Sequence, residues 1–298
     1  MTMLEHIYKF ILKRFFPFKD WISELRNPQI LQADIIAGIT VALVIVPQSM
    51  AYAQLAGLPP YYGLYASFLP VAIASIFGSS RQLATGPVAV VSLLTAAALE
   101  PIASNDPTGY VAYAIMLAFL VGAFQLSLGL LRMGVLVDFL SHPVVTGFTN
   151  AAAIIIATSQ LSKLFGVSVA SQEHHYQTIM NVLSESLINT HTPTLLMGLL
   201  AIFIILFVRK ISSKYPAVLI SVVITTFISW YIKFETNYEG KVIGVVPDGL
   251  PSMQLPQIDF EQLINLGTVA IAISLIGFME AISIAKAMAT QTKQRLDA

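Results

Sequence analysis

The 298-residue chain contains no cysteine. That absence excludes disulfide frameworks, thiolate metal centres and cysteine nucleophiles. Charge is scarce as well: 11% of the residues are Asp, Glu, Lys or Arg, where soluble domains carry about 25%. The 16 basic and 16 acidic side chains cancel, which removes the basic footprint of a nucleic-acid binder. The sequence has no Gly-x-x-x-x-Gly-Lys-[Ser/Thr] element, and so no nucleotide loop to drive a pump. With 17 Gly and 15 Pro it is neither low-complexity nor collagen-like. What is present in excess is apolar surface, 56% of the residues, against about 45–50% in soluble domains. An uncharged soluble protein of that composition would precipitate. The surviving class is a polytopic membrane protein.

The 46 residues from Ile35 to Ser80 contain no charged side chain. As helix they would reach about 69 Å, roughly twice a 30 Å hydrocarbon core. The run therefore crosses twice, with Gly57-Leu58-Pro59-Pro60 as the turn. Spans are expected at 33–55, 61–78, 110–131, 138–161, 193–208, 216–232 and 263–286, with a shorter apolar segment at 87–99. These runs are too long and continuous for barrel strands, so the fold class is an all-α polytopic bundle. Residues 1–32 mix Phe15, Phe16, Phe18 and Trp21 with Lys and Arg and have no A-x-A cleavage site. They read as a cytoplasmic or interfacial N-terminus carrying an amphipathic helix. The segments near 162–192 and 233–262 carry acids, Pro and Gly and read as ordinary outer loops, His174-His175 among them.

Counting the short segment as a crossing leaves 13 Lys and Arg inside and only Lys163, Lys233 and Lys241 outside. That is a strong positive-inside bias. It gives eight crossings with both ends in the cytoplasm, the protein lying in a bacterial inner or plasma membrane. Skipping the short segment would reverse every later loop.

Thr85-Gly86-Pro87-Val88-Ala89 opens that short segment. Pro87 has no amide hydrogen and disfavours helix at Gly86, so Pro at the first helical position is expected. A helix from Pro87 to Leu99 covers about half the membrane, which sets its N-terminus near the midplane. Free amides and a partial positive charge there suit an anionic ligand. A full span with a proline kink, or a re-entrant structural loop, is the competing reading.

In the first span, Gln48 and Tyr52 are four apart and share a helix face. That face either lines a substrate cavity or makes interhelical hydrogen bonds around Pro47. Glu280 is an acid deep in the last span, preceded by the charge-free residues 262–279. Ser274, Gly277, Glu280 and Ser283 form a small, polar stripe suited to a cavity. The readings for Glu280 are ion coupling and a structural pair with Lys286, which six residues place on nearly the opposite face. Gly122 and Gly129 fit close helix packing. His142-Pro143 reads as a cap or packing residue. No metal-ligand spacing, cofactor motif or catalytic constellation is apparent, so no enzyme, metal or cofactor is expected.

Together these residues resemble the SulP family of sulfate and inorganic-anion permeases. The resemblance rests on Asp34-Ile35-Ile36-Ala37-Gly38, Val46-Pro47-Gln48-Ser49-Met50-Ala51-Tyr52-Ala53 and Leu58-Pro59-Pro60-Tyr61-Tyr62-Gly63-Leu64-Tyr65. Gly78-Ser79-Ser80-Arg81, Thr85-Gly86-Pro87-Val88-Ala89 and Gly277-Phe278-Met279-Glu280-Ala281 follow in the family's order. The resemblance implies two inverted seven-segment repeats forming a core and a gate domain. Residues 33–132 would hold core spans 1–4 and 133–240 gate spans 5–7, and 241–298 the outer loop and span 8, which starts the second repeat. It implies an anion held by Gln48, Tyr52, Thr85, Gly86, Pro87 and the amides of Val88 and Ala89, with Glu280 coupling H+ or Na+. Secondary active symport of sulfate or bicarbonate, by an elevator-like movement and in a homodimer, would follow. The family continues past Asp297-Ala298 into further spans, the tenth half-helix among them, and usually a cytosolic STAS domain. The chain is thus expected to be the N-terminal part of a longer transporter. A non-transporting membrane fragment or scaffold, and a nucleobase permease of the same fold, are the alternatives.

Overall fold

The long charge-free run folds into two helices, as its length demands. The computed structural model describes residues 17–78, 80, 83–103, 107–131, 142–169, 175–212, 215–249 and 260–292. Nine helices of at least fifteen residues lie among them. They are α1 (Pro28–Leu55), α2 (Pro60–Phe77), α3 (Ala89–Ala103), α4 (Pro107–Leu130) and α5 (His142–Ser159). After these come α6 (His175–Asn189), α7 (Thr192–Ile211), α8 (Ala217–Tyr231) and α9 (Phe260–Thr292). Short helical turns occupy Phe18–Ile22, Glu24–Arg26, Leu161–Phe165 and Phe234–Tyr238.

Helix α1 starts earlier than expected, because Asn27 caps it and Pro28 takes the first position. The Asn27 side chain accepts a hydrogen bond from the Gln29 amide at 3.0 Å. It ends in a Schellman-type cap: the Leu58 amide donates to Ala53 O at 2.9 Å, with Gly57 at φ +76°. The Tyr110 hydroxyl, from α4, donates to the terminal Ala56 carbonyl at 2.8 Å. Helices α1 and α2 then pack closely, since a Cβ at Gly63 would overlap the Ser49 carbonyl oxygen. Gly122 and Gly129 behave otherwise: nothing lies within 4 Å of a Cβ built on either, so they do not mark a close helix contact.

The third segment departs from expectation in its register. Its helix begins at Ala89, and the first intrahelical bond runs from the Ser92 amide to Val88 O at 3.0 Å. Pro87 thus lies within the non-helical lead, which ends at Val88, instead of opening the helix. At the other end α3 runs through Pro101 to Ala103, about one and a half turns short of a typical span.

The described residues divide into two compact units, one drawn from Met1–Ser141 and Asp248–Ala298, the other from His142–Pro247. In the first, α3, α4 and α9 share a core of Ala98, Leu99, Met116, Leu117, Leu266, Ala270 and Ile273. The Ser274 hydroxyl, buried in that seam, lies 2.6 Å from Ala270 O and 3.2 Å from Val121 O, and Gln125 Nε2 donates to Ser274 O at 3.4 Å. Ser274 and Gly277 therefore face packed helices, not a cavity, which corrects the expected role of that half of the stripe. In the second unit, Ser221 Oγ donates to Ala201 O at 3.1 Å and joins α8 to α7.

Two further expectations change. Residues 162–192 are not an ordinary loop, since α6 and part of a helical turn lie there. His175 opens α6 and sits 2.8 Å from Thr158 Oγ1, while His174 lies outside the described residues. Of the expected N-terminal helix, residues 1–16 lie outside the described residues as well. The side chains of His142 and Pro143 are likewise not described.

Candidate anion site

The site forms where α1 passes the lead into α3. Val41, Val44, Ile45 and Gln48 of α1, with Ala84, Gly86, Pro87 and Val88 of the lead, enclose a cavity of about 210 Å³. Among the described residues no charged side chain lines it. The α1 residues recur at i, i+3, i+4 and i+7, one face of a helix. A Cβ at Gly86 would come within 2.7 Å of Ile45 Cδ1, so any larger residue there needs the end of that side chain to move aside. The lead itself is held by short local bonds, Gly86 N to Ala84 O at 3.2 Å and Leu83 N to Ser80 Oγ at 3.3 Å.

Ser92 is the first residue of α3 whose amide closes onto the helix. The amides before it, those of Val88 and Ala89 included, are ones a helix leaves unpaired, and they carry its partial positive charge. Gln48 Nε2 donates to Tyr52 Oη at 2.7 Å, so the two act as one polar pair along α1. Gln48 reaches the cavity wall and Tyr52 stands behind it. Gly86, Pro87 and Val88 line the cavity; Thr85 and Ala89 are not among its lining residues. Val41, Val44, Ile45 and Ala84 are wall residues that the sequence reading passed over. Their signal was the spacing from Gln48 back along α1.

Glu280 lies on α9, half-buried, with no hydrogen-bond or ion-pair partner among the described residues. Helix α9 runs antiparallel to α3. Leu266 and Ala270 pack in the cluster with Ala98 and Leu99, whereas Gly277 lies near Val91, 3.8 Å separating the Val91 Cγ2 atom from a Cβ built there. One turn past Gly277, Glu280 stands at the level where α3 begins. Among the described residues no group of three His, Asp or Glu side chains converges to hold a metal.

Residues 31–298 match the sulfate permease family. The chain belongs to the sulfate permease family. Within it, the chloroplastic sulfate transporter 4.1 of Arabidopsis thaliana is 38% identical over 95% of this chain and 42% of its own length. The structure of SLC26A9 superposes with a TM-score of 0.89 at 24% identity, over 99% of this chain and 49% of that one. The transmembrane domain of the cyanobacterial bicarbonate transporter BicA gives 0.78 at 25% identity, over 90% and 67%. The chain spans about half the length of the curated relatives it matches. These likenesses establish the all-helical fold of a sulfate permease membrane domain. With five helices long and apolar enough to cross a bilayer among the described residues, this member of the family is a multi-pass membrane protein.

Proposed function

We propose that this chain takes part in secondary active transport of an inorganic anion, sulfate-like or bicarbonate, coupled to H+ or Na+. The observation that carries the reading is the cavity that Gln48 lines together with Gly86–Val88 of the lead into α3, with no charged lining side chain among the described residues. A dehydrated anion needs donors without a fixed countercharge that would trap it, and helix-terminal amides supply them. Val88 and Ala89 offer those amides, Gln48 and Tyr52 a side-chain donor, Thr85 a hydroxyl beside them, and Gly86 and Pro87 the shape. Glu280, at the same level and without an ion-pair partner among the described residues, is the coupling group.

The names of the relatives, sulfate and bicarbonate transporters, support the substrate class. The unit of Met1–Ser141 and Asp248–Ala298 supports a core built from 33–132 and 241–298, and that of His142–Pro247 supports a gate from 133–240. The 13-to-3 distribution of Lys and Arg supports a cytoplasmic N-terminus. In this reading the core carries the anion past the gate, in a homodimer that includes further spans and a STAS domain.

The test is uptake of radiolabelled sulfate and bicarbonate into proteoliposomes under an imposed H+ or Na+ gradient. The chain is assayed alone and together with a segment matching the remaining length of its relatives. Gradient-driven uptake of either anion is expected from the combination. Competition by uracil and not by sulfate would replace the reading with a nucleobase permease. Absence of uptake and of anion binding in both preparations would leave a non-transporting membrane protein.

A further inference from the structure

Helix α6 presents three sectors when its residues are set 100° apart. One sector is packed on its own unit, with Val182 4% exposed. A second carries the exposed polar residues Asn181 and Ser184, with half-buried Gln177 in line with them and Ile188 as its one apolar member. The third is an apolar stripe, Tyr176, Met180, Leu183 and Leu187, at i, i+4, i+7 and i+11. All four are exposed, Leu187 by 89%. Such a stripe on a water-facing helix would cost solubility and gain nothing.

Both ends of α6 are tied to the ends of neighbouring helices, α5, which is read here as a membrane span, and α7, which is long and apolar enough to cross. At its start, His175 Nε2 lies 2.8 Å from Thr158 Oγ1, in the last turn of the charge-free α5. At its end only Thr190 and His191 separate Asn189 from Thr192, the first residue of α7. Three Cα steps reach about 11 Å at most, so α6 ends close to where α7 begins. Its 15 residues are about 22 Å long, too short to cross. The helix is therefore held along the bilayer surface between two entry points. Its exposed face carries no Lys or Arg, and its single acid, Glu185, accepts from Asn189 Nδ2 at 2.7 Å. A neutral amphipathic helix with a tyrosine at one end suits the headgroup–acyl boundary.

We infer that α6 lies in the membrane interface with Tyr176, Met180, Leu183 and Leu187 immersed in lipid, so that the bilayer is the partner of this face. The inference rests on the membrane reading of α5 and α7 and not on any transported anion. Because the chain has no cysteine, single-cysteine variants accept one nitroxide label each. Met180→Cys, Leu187→Cys, Asn181→Cys and Ser184→Cys, with Phe203→Cys on α7 as reference, are reconstituted in phosphatidylcholine vesicles. Relaxation by oxygen, which concentrates in lipid, is compared with relaxation by a water-soluble nickel chelate. Oxygen should dominate at 180, 187 and 203, and nickel at 181 and 184. Nickel dominance at 180 and 187, with 203 still lipid-like, overturns the inference alone. Immobilised labels shielded from both agents at 180 and 187 overturn it in favour of a protein cover, such as a second copy. A water-like Phe203 position overturns the membrane reading of α7 together with the inference.

Discussion

Three glycines and one acid show how far single residues of this chain can vary. Gly63 has a backbone carbonyl where a side chain would go, and neither helix can yield without losing the α1–α2 seam. Gly63→Val should cost about 1–3 kcal/mol, read as a lowered melting temperature in detergent. Gly122, with open space around it, predicts the opposite: Gly122→Ala should be neutral or stabilise by up to about 1 kcal/mol. At the site, Gly86→Val would push into Ile45 and fill the cavity, so sulfate should no longer protect the protein against heating. Glu280→Gln keeps the shape but removes the titrating group. Anion binding should persist while the pH dependence of uptake by the complete transporter disappears. Uptake that keeps its pH dependence in this variant would exclude Glu280 as the coupling residue. Ser274 shows why a polar stripe is ambiguous in sequence. Small residues on a membrane helix serve close packing as readily as a cavity, and here the seam with α4 takes Ser274 and Gly277.

At the scale of elements, α3 carries the functional argument. Its lead is non-helical from Leu83 to Val88, so its first amides have no preceding helical turn to bond to. Pro87→Ala restores a donor and lets the helix extend backward. That would take away a helix-end contribution of up to about 2 kcal/mol, weakening sulfate binding by about thirtyfold in a titration of the purified protein. The existence of α1, α2 and α3 was legible because charge-free length and proline are strong signals. The starting residue of α3 was not. Proline marks where a helix cannot continue backward, whereas its first turn is set by which carbonyl accepts the first amide, here that of Val88. Half of the cavity was legible in the same way: Gln48 stood out as polar, but the apolar Val41, Val44 and Ile45 look like any lipid-facing residue until the lead of α3 lies against them. Helix α6 escaped notice because its polar residues, acid and neighbouring loops mask an apolar period that is visible only once the register is known.

At the scale of the whole molecule, the lipid-facing surface is extensive. Ile35, Ile36, Ile39 and Leu43 of α1, and Leu196, Phe203 and Leu206 of α7, are exposed. The chain should stay with the membrane pellet after alkaline carbonate extraction, where a peripheral protein is released. The two units also differ in a way that matters before any transport begins. The unit from His142 to Pro247 is one continuous stretch, while the other is closed by α9, made more than a hundred residues after α4. During synthesis, then, the second unit has all its parts while Leu99, Met116 and Leu117 still lack Leu266, Ala270 and Ile273. Loop closure over that distance is slow, and an unfilled seam inside a membrane attracts substitutes. A nascent chain halted at Pro247 should leave a cysteine placed at Met116 open to a membrane-permeant maleimide, and extension through Thr292 should close it. Residues 260–292 would then be the latch of biogenesis, and substitutions on the Leu266–Ile273 face of α9 would show first as nascent chains lost to quality control.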